Sequence, residues 1–429
     1  MLVFRSVWLL VSCLVIFSSV VFARDIPEIH GFVETDYGQK FLGDERTRKN
    51  DFNFLEQRLQ LKAVYRPDNP PWLARLRPEF SYKGDLLVDE HEEAVRHQIR
   101  EVSGLFSPFS WMDAKLGRQV LTWGTGDLLF INDVFPKDFE SFFIGRDEEY
   151  LKIPSDAGKF SFYGPWGSAD VVLIPFFTPD APIHGDRLSF YDSLVGRLVG
   201  KESNRLLTEP SVQIDNTEVA ARGYRNFGAY ETAAYAFKGY FNQPRGIKNA
   251  NAGELFYPEL AIYGASLRGP MPFFGGIASV ETGYLDSMED RGGRDRSIEN
   301  SGIKYLAGYE RDFPKDLRIG TQYFVEQMLD FDEFRATAGS GDVPRDEFRQ
   351  LLTFRITKLF FQQTLEASLF AFYSPTDNDA HLRPRLAWQI NDQWKLTAGA
   401  NIFFGKYDWT EFGQLEDNDN AYVRLRYSF

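Results

Sequence analysis

The chain has 429 residues, a formal net charge of −13 and a mean hydropathy of −0.33. Aromatic residues make up 16% of it, with 40 Phe and 20 Tyr, which is a high share for a soluble protein. After the N-terminal region, no stretch approaches the roughly 18 consecutive apolar residues of a transmembrane helix. The composition therefore excludes a protein built on membrane-spanning helices, and we predict no nucleic-acid partner.

The N-terminal residues resemble a secretory signal. Arg5 supplies the positive charge, the apolar run covers Val7–Phe22, and a small-residue cleavage site ends at Ala23. An alternative is the lipoprotein-like stretch Leu10–Cys13, although that cysteine lies in the middle of the apolar run. Removal of residues 1–23 would take away the only cysteine, so we predict neither disulfides nor covalently attached haem.

The remainder, residues 24–429, is predicted to form a single all-β domain. Its segments alternate apolar and polar residues with a period of two, which is typical of strands that have one apolar and one polar face. The predicted strands lie at roughly 29–38, 55–65, 76–83, 95–104, 112–123, 158–163, 168–177, 215–224, 229–240, 257–268, 274–285, 301–311, 317–327, 347–358, 363–373, 382–390, 394–404 and 421–429. The pattern predicts a transmembrane, antiparallel, up-and-down β-barrel of about eighteen strands, with sixteen also possible.

Short turns alternate with long connections, as a membrane barrel requires. We assign the long ones to the cell exterior; they are 39–52, 84–94, 124–157, 178–214, 241–256, 286–300, 329–346 and 406–419. Two of them exceed the length of ordinary loops and are expected to be functional. Loop 124–157 carries an apolar set that should avoid water and fold into the barrel mouth, which gives the constriction candidates Phe130, Phe135, Phe139, Phe142 and Phe143. Loop 178–214 contains Asp186–Val199, whose apolar spacing predicts a short amphipathic helix.

The C-terminal end carries the clearest strand pattern. Ala421–Phe429 alternates strictly and stops at an aromatic residue, as the closing strand of an outer-membrane barrel does. Trp388, Trp394 and Tyr427 are suited to an aromatic girdle at the membrane interface. The predicted location is the outer membrane of a Gram-negative bacterium.

Three segments resemble known porin-like outer-membrane proteins. Ala114–Gly124 (AKLGRQVLTWG) is similar to a strand motif of the alginate-export barrels and of a related, uncharacterised porin-like family. Val171–Pro182 and Tyr257–Tyr284 resemble further parts of that second family. The resemblance implies a many-stranded pore and names no substrate. Arg118 within the first motif is either a pore-lining residue or part of a structural patch in the wall.

Charge on the predicted inward face gives a second indication of function. The polar phase of the strands gives the pore-lining candidates Arg355, Arg383, Arg385, Lys395, Arg424 and Arg426, and Arg118 of the motif joins them as a further candidate. Most lie on successive strands, so they could form a ladder that favours anions. Alternatively, they pair with acids such as Glu326, Glu366 and those of the loops, and thereby buttress the wall.

No enzyme motif, catalytic residue, metal-ligand set or cofactor site is found, so we predict a non-enzymatic barrel without cofactors. The favoured function is passive passage or export of small or oligomeric, anionic solutes, with outer-membrane lipid and lipopolysaccharide as the surroundings. One alternative is a sheath for a periplasmic multihaem cytochrome, which needs a partner that the sequence does not identify. The other is a channel for hydrophobic substrates.

Overall fold

The computed structural model describes residues 27–49, 51–67, 76–339 and 342–429, so the predicted signal peptide lies outside the described residues. Eighteen antiparallel strands form one sheet, and the sheet is closed because the last strand pairs with the first. In chain order the strands are β1 Glu28–Lys40, β2 Phe52–Tyr65, β3 Glu79–Asp89, β4 Ala94–Phe109, β5 Met112–Gln119, β6 Ser155–Gly164, β7 Gly167–Ile174, β8 Glu218–Phe227, β9 Tyr230–Tyr240, β10 Glu259–Pro270, β11 Ile277–Ser287, β12 Gly302–Phe313, β13 Leu317–Met328, β14 Phe348–Phe360, β15 Leu365–Ser374, β16 Asp379–Gln389, β17 Trp394–Gly405 and β18 Asn420–Ser428. The predicted all-β barrel and its eighteen strands are confirmed.

The strands form because each has one face suited to lipid and one suited to a polar interior. In β18, the side chains of Val423 and Leu425 are exposed on the outward face, whereas Arg424 between them is buried inside. β16 shows the same division, with Leu386 and Trp388 outward and Arg383 inward. This is the fold of an outer-membrane β-barrel.

One connection that the sequence predicts to be long is short in the structure. Loop 84–94 was predicted to be long, but β3 and β4 extend into it and leave only residues 90–93 between them. The Asp89 carboxylate accepts hydrogen bonds from the backbone N–H groups of His91 (3.0 Å) and Glu92 (3.3 Å), which closes this tight connection. The acid-rich composition reflects turn chemistry rather than a long loop.

The predicted helix at Asp186–Val199 is wrong, because this segment contains the hairpin strands Phe190–Asp192 and Arg197–Val199. The Asp192 carboxylate accepts the N–H of Leu194 at 2.9 Å, and Gly196 adopts a left-handed φ of 68°. A turn stabilised in this way interrupts a helix, whatever the apolar spacing around it.

The described helices are short and lie in the long loops. They are α1 Phe139–Ile144, α2 Phe331–Thr337 and the 3₁₀ turns Glu148–Leu151, Ile214–Asn216, Ala250–Ala252 and Gly413–Asn418. No helix within the described ranges is long and apolar enough to cross a membrane. A further small sheet joins loop residues Leu206–Thr208, Gly246–Asn249 and Glu254–Phe256.

Candidate functional site: a loop segment inside the barrel

The connection between β5 and β6, residues 120–154, is hereafter the infolded segment. Its side chains and backbone bond to inward residues of β11, β13, β14, β16, β18, β2, β3 and β4. These strands lie on both sides of the barrel, so the segment crosses the lumen. A loop folded into a barrel in this way narrows the passage through it.

Glu281 of β11 holds the first part of the infolded segment. Its carboxylate accepts the N–H and hydroxyl of Thr125 (2.6 and 2.8 Å) and the N–H and side-chain amide of Asn132 (3.0 and 2.9 Å). Gly264 on the neighbouring strand makes room, since a Cβ there would lie 1.8 Å from the Asn132 Oδ1. Four hydrogen bonds to one buried carboxylate fix this end of the segment to the wall.

The five Phe candidates all pack into apolar clusters. Phe142 and Phe143 of α1 are buried against wall residues of β15 and β17, including Phe372 and Phe403, and Phe130 and Phe139 pack at the margin of this group. Phe135 belongs instead to a second cluster, on β7 to β10. The predicted infolding thus places these rings at two patches of wall, where they act as anchors.

The infolded segment has an acidic tip, formed by Asp147 and Glu148, that contacts three arginines of the predicted basic ladder. The Asp147 Oδ2 lies 3.1 Å from Arg424 Nη1 and 3.3 Å from Arg426 Nη2. The next residue, Glu148, places its Oε1 3.4 Å from Arg383 Nη1. Three of the candidates are therefore brought together around two adjacent carboxylates.

Wall acids contact the same arginines. Arg424 Nε lies 2.7 Å from Asp36 Oδ1, and Arg426 Nε lies 2.5 Å from Glu34 Oε2, both on β1. Burial disfavours charge on Asp147, yet the guanidinium groups of Arg424 and Arg426 outweigh it and hold the pKa of that carboxyl below its usual range. Asp147 is consequently ionised at neutral pH.

The remaining inward candidates differ in how they are paired. Arg355 contacts Asp127 of the infolded segment, with Nε 2.7 Å from Oδ2. Arg385 pairs with Glu366 of the neighbouring strand at 2.7 Å. For Lys395, no carboxylate lies within ion-pair distance in the described part of the chain, so it is the least neutralised of the set.

Arg118 requires a correction, because it does not lie on the inward face. Its cross-strand neighbours are Val102 and Asp156, and it shares a face with Leu116. Val102 and Leu116 are exposed on the outer surface. Arg118 forms a two-pronged ion pair with Asp156, at 2.8 and 2.6 Å, which is the structural alternative given above.

Sequence reasoning missed the contacts that hold the second half of the infolded segment. Arg146 pairs with the fully buried Glu56 of β2. The Tyr150 ring lies beneath two guanidinium groups, 3.9 Å from that of Arg58 and 4.8 Å from that of Arg100. No local pattern could have revealed these pairs, since the partners are separated by about 50 to 90 positions and meet only when the segment folds inward.

Among the described residues, no group of three or more His, Cys, Asp or Glu side chains could hold a metal ion.

No protein-family model matches the sequence, and no curated protein matches it. The resemblance of Ala114–Gly124 to the alginate-export barrels therefore stays a prediction.

The fold matches several solved structures. Pseudomonas aeruginosa OccK11 (OpdR) has a TM-score of 0.54 at 10% identity, over 94% of this chain and 96% of that chain. Acinetobacter baumannii OccAB3 has a TM-score of 0.58 at 8% identity, over 94% and 99%. Pseudomonas aeruginosa OpdQ has a TM-score of 0.55 at 11% identity, over 94% and 98%. At such identities the likeness shows the fold, and at that level the porin-like outer-membrane barrel is confirmed.

Proposed function

We propose that the chain is an outer-membrane channel through which small or oligomeric anionic solutes pass passively, with the infolded segment as its constriction. The observation that carries the proposal is the group of cations on the inward faces of adjacent strands β16, β17 and β18, beside that segment. Arg385, Lys395 and Arg426 all retain partial exposure there.

The physical reason is fixed charge in a confined space. Adjacent strands are about 4.8 Å apart, so cations on β16 to β18 act together on one solute. Loop charges outside the barrel are screened within about 8 Å at physiological salt, whereas charges in a narrow, low-dielectric wall are screened less. The inward cations should therefore outweigh the acidic exterior in setting selectivity.

The sheath alternative is disfavoured by the same geometry. A multihaem cytochrome needs a wide, unobstructed lumen, whereas the infolded segment crosses this one and is fixed at Glu281, Glu56 and the two apolar clusters.

The hydrophobic-substrate alternative was suggested by the Phe-rich infolded segment, and the cavity beside that segment is too small to support it. The Phe-lined cavity between α1 and β15 has a volume of only about 40 Å³. Drug-sized ligands occupy roughly 300 Å³ or more, so this space is a packing gap.

The test is Arg385→Gln combined with Lys395→Gln. Removal of two inward cations should shift the reversal potential in a salt gradient toward cation preference. The matched control is Arg118→Gln with Lys238→Gln, which removes equal charge from the outward face, where Lys238 lies opposite the exposed Val219. Equal shifts in both double variants, or none in the inward one, would refute the proposal.

A further inference from the structure

We propose that Asp147 and Glu148 are tethered counter-ions that occupy a solute-binding site, so that an anionic solute must displace them from the wall arginines in order to pass. This rests on the proposed function and deepens it. The site is formed by Arg383, Arg424 and Arg426, and the ligand class is a solute with two oxyanion groups, such as a dicarboxylate. In the structure, the protein's own Asp147 and Glu148 carboxylates occupy this site.

The contacts of the tip are longer than the shortest wall ion pairs of Arg424 and Arg426, which are 2.7 Å to Asp36 and 2.5 Å to Glu34. Charge-assisted N–H···O bonds are ordinarily about 2.7–2.9 Å. The contacts of Asp147 with Arg424 and Arg426 are 3.1 and 3.3 Å, and that of Glu148 with Arg383 is 3.4 Å. By contrast, the wall pair of Arg424 with Asp36 is 2.7 Å. The tip therefore contributes the weakly held anions of the cluster, and the wall contributes the firmly held ones.

The two partners of the ion pair between Glu148 and Arg383 also differ in their exposure to water. The Glu148 side chain is 50% exposed, whereas that of its partner Arg383 is 10% exposed. An ion pair with one partner in water is worth little, because hydration competes with it. Since the Arg383 guanidinium also lies 4.1 Å from the Phe142 ring, it stays in place when Glu148 leaves.

The tip is a two-residue stretch between separate anchors, with Arg146 paired to Glu56 on one side and Glu149 paired to Lys83 on the other. Only the Asp147 and Glu148 side chains therefore need to turn away for the arginines to be freed. On one side, α1 ends at Gly145, whose φ of 91° is left-handed and suits glycine. A Cβ there would also lie 2.3 Å from the Tyr422 ring. On the other side, Tyr150 is held by Arg58 and Arg100. Asp147 and Glu148 fall between these points.

Because the chain holds Asp147 and Glu148 beside the arginines, these carboxylates compete with a solute through their effective concentration. A solute must exceed that competition, so the tip should raise the concentration at which an anion saturates the channel. Neutral side chains at the tip should lower this saturating concentration. The inward cations are unchanged in such a variant, so the channel should still prefer anions.

The experiment compares the purified wild-type barrel with Asp147→Asn/Glu148→Gln in planar bilayers, with succinate as the probe. Loss of the competing anions should lower the half-saturating succinate concentration by about tenfold, the factor that corresponds to about 1.4 kcal/mol. Asp147→Glu keeps the charge and should leave the value near that of the wild type. Glu148→Gln alone should give a smaller decrease in the half-saturating concentration. Because it changes only an exposed side chain, it can replace the double variant if that variant does not fold.

The matched control is Glu209→Gln/Asp215→Asn, which changes the net charge equally at two exposed loop positions. If the wild-type channel is anion-selective but the tip variant has the same half-saturating succinate concentration, the counter-ion inference is overturned and the proposed function stands. The inference is also overturned if the loop control shifts as much as the tip variant. Cation selectivity of the wild type would instead overturn the proposed function.

Discussion

At the residue scale, the inward arginines divide into buried and exposed members, and Arg424 is buried. Its side chain is 5% exposed and contacts Glu34, Asp36 and Asp147. Removal of one partner of a buried ion pair leaves uncompensated charge and costs about 3–5 kcal/mol. We expect Arg424→Gln to lower the free energy of unfolding by that order, measured by urea titration of the folded, gel-shifted form.

The matched substitution is Arg385→Gln, because its side chain is 33% exposed and faces the 37% exposed Glu366. Exposed pairs contribute about 0–1 kcal/mol, so this variant should be nearly as stable as the wild type. Equal losses of unfolding free energy in the two variants would contradict the division into buried and exposed arginines.

Asp180 gives a pH dependence at a single loop residue. It accepts the N–H of Lys137 at 2.7 Å and thus joins loop 175–217 to the infolded segment. Burial raises the pKa of Asp180 from 3.8 to about 6. Between these values the folded protein holds a proton that the unfolded chain has released, so this residue's contribution to stability falls as the pH rises through that window.

The measurement is the thermal midpoint of wild type and Asp180→Asn at pH values from about 4 to 7. The wild type should lose stability relative to the variant as the pH rises. The difference between the two thermal midpoints should level off above about pH 6. A constant difference between the two proteins across this range would show that Asp180 does not titrate as described.

At the scale of elements, the infolded segment should set the width of the passage. Deletion of residues 128–143 removes most of α1 and all five candidate Phe side chains. Burial of each Phe stabilises by roughly 1.5–3 kcal/mol, so the deletion also removes the main apolar anchors. We expect single-channel conductance to rise severalfold in a barrel that remains heat-modifiable on gels.

Glu281→Gln is the complementary change, because it keeps the whole segment but weakens four hydrogen bonds at one anchor. It should increase current fluctuations without the full rise in conductance. Unchanged conductance in a folded deletion variant would exclude a constricting role for the segment.

The elements also show where sequence reasoning works. Period-two alternation located strands such as β16, β17 and β18 to within a few residues, because lipid and lumen impose opposite demands on successive side chains. It failed for Asp186–Val199, since helical spacing of apolar residues cannot reveal a turn closed by Asp192 and Gly196. It also missed the outward position of Arg118, which depends on strand phase and on its pairing with Asp156.

At the scale of the whole molecule, closure of the sheet between β1 and β18 was predictable from the terminal strand pattern. The pairing of the inward arginines with the infolded segment was not predictable. Whether Arg383 faces solvent or a carboxylate depends on where Glu148 comes to rest, and that residue lies 235 positions away along the chain. Such contacts follow from the folded barrel and leave no periodic signal in the sequence.

We propose that the barrel conducts ions and that its inward cations make it select anions. The most direct measurement is the reversal potential of single wild-type channels in a planar bilayer under a potassium chloride gradient. We expect defined conductance steps and a reversal potential of the sign given by chloride permeation. A reversal potential of the opposite sign, or folded barrels that insert without conducting, would contradict the claim.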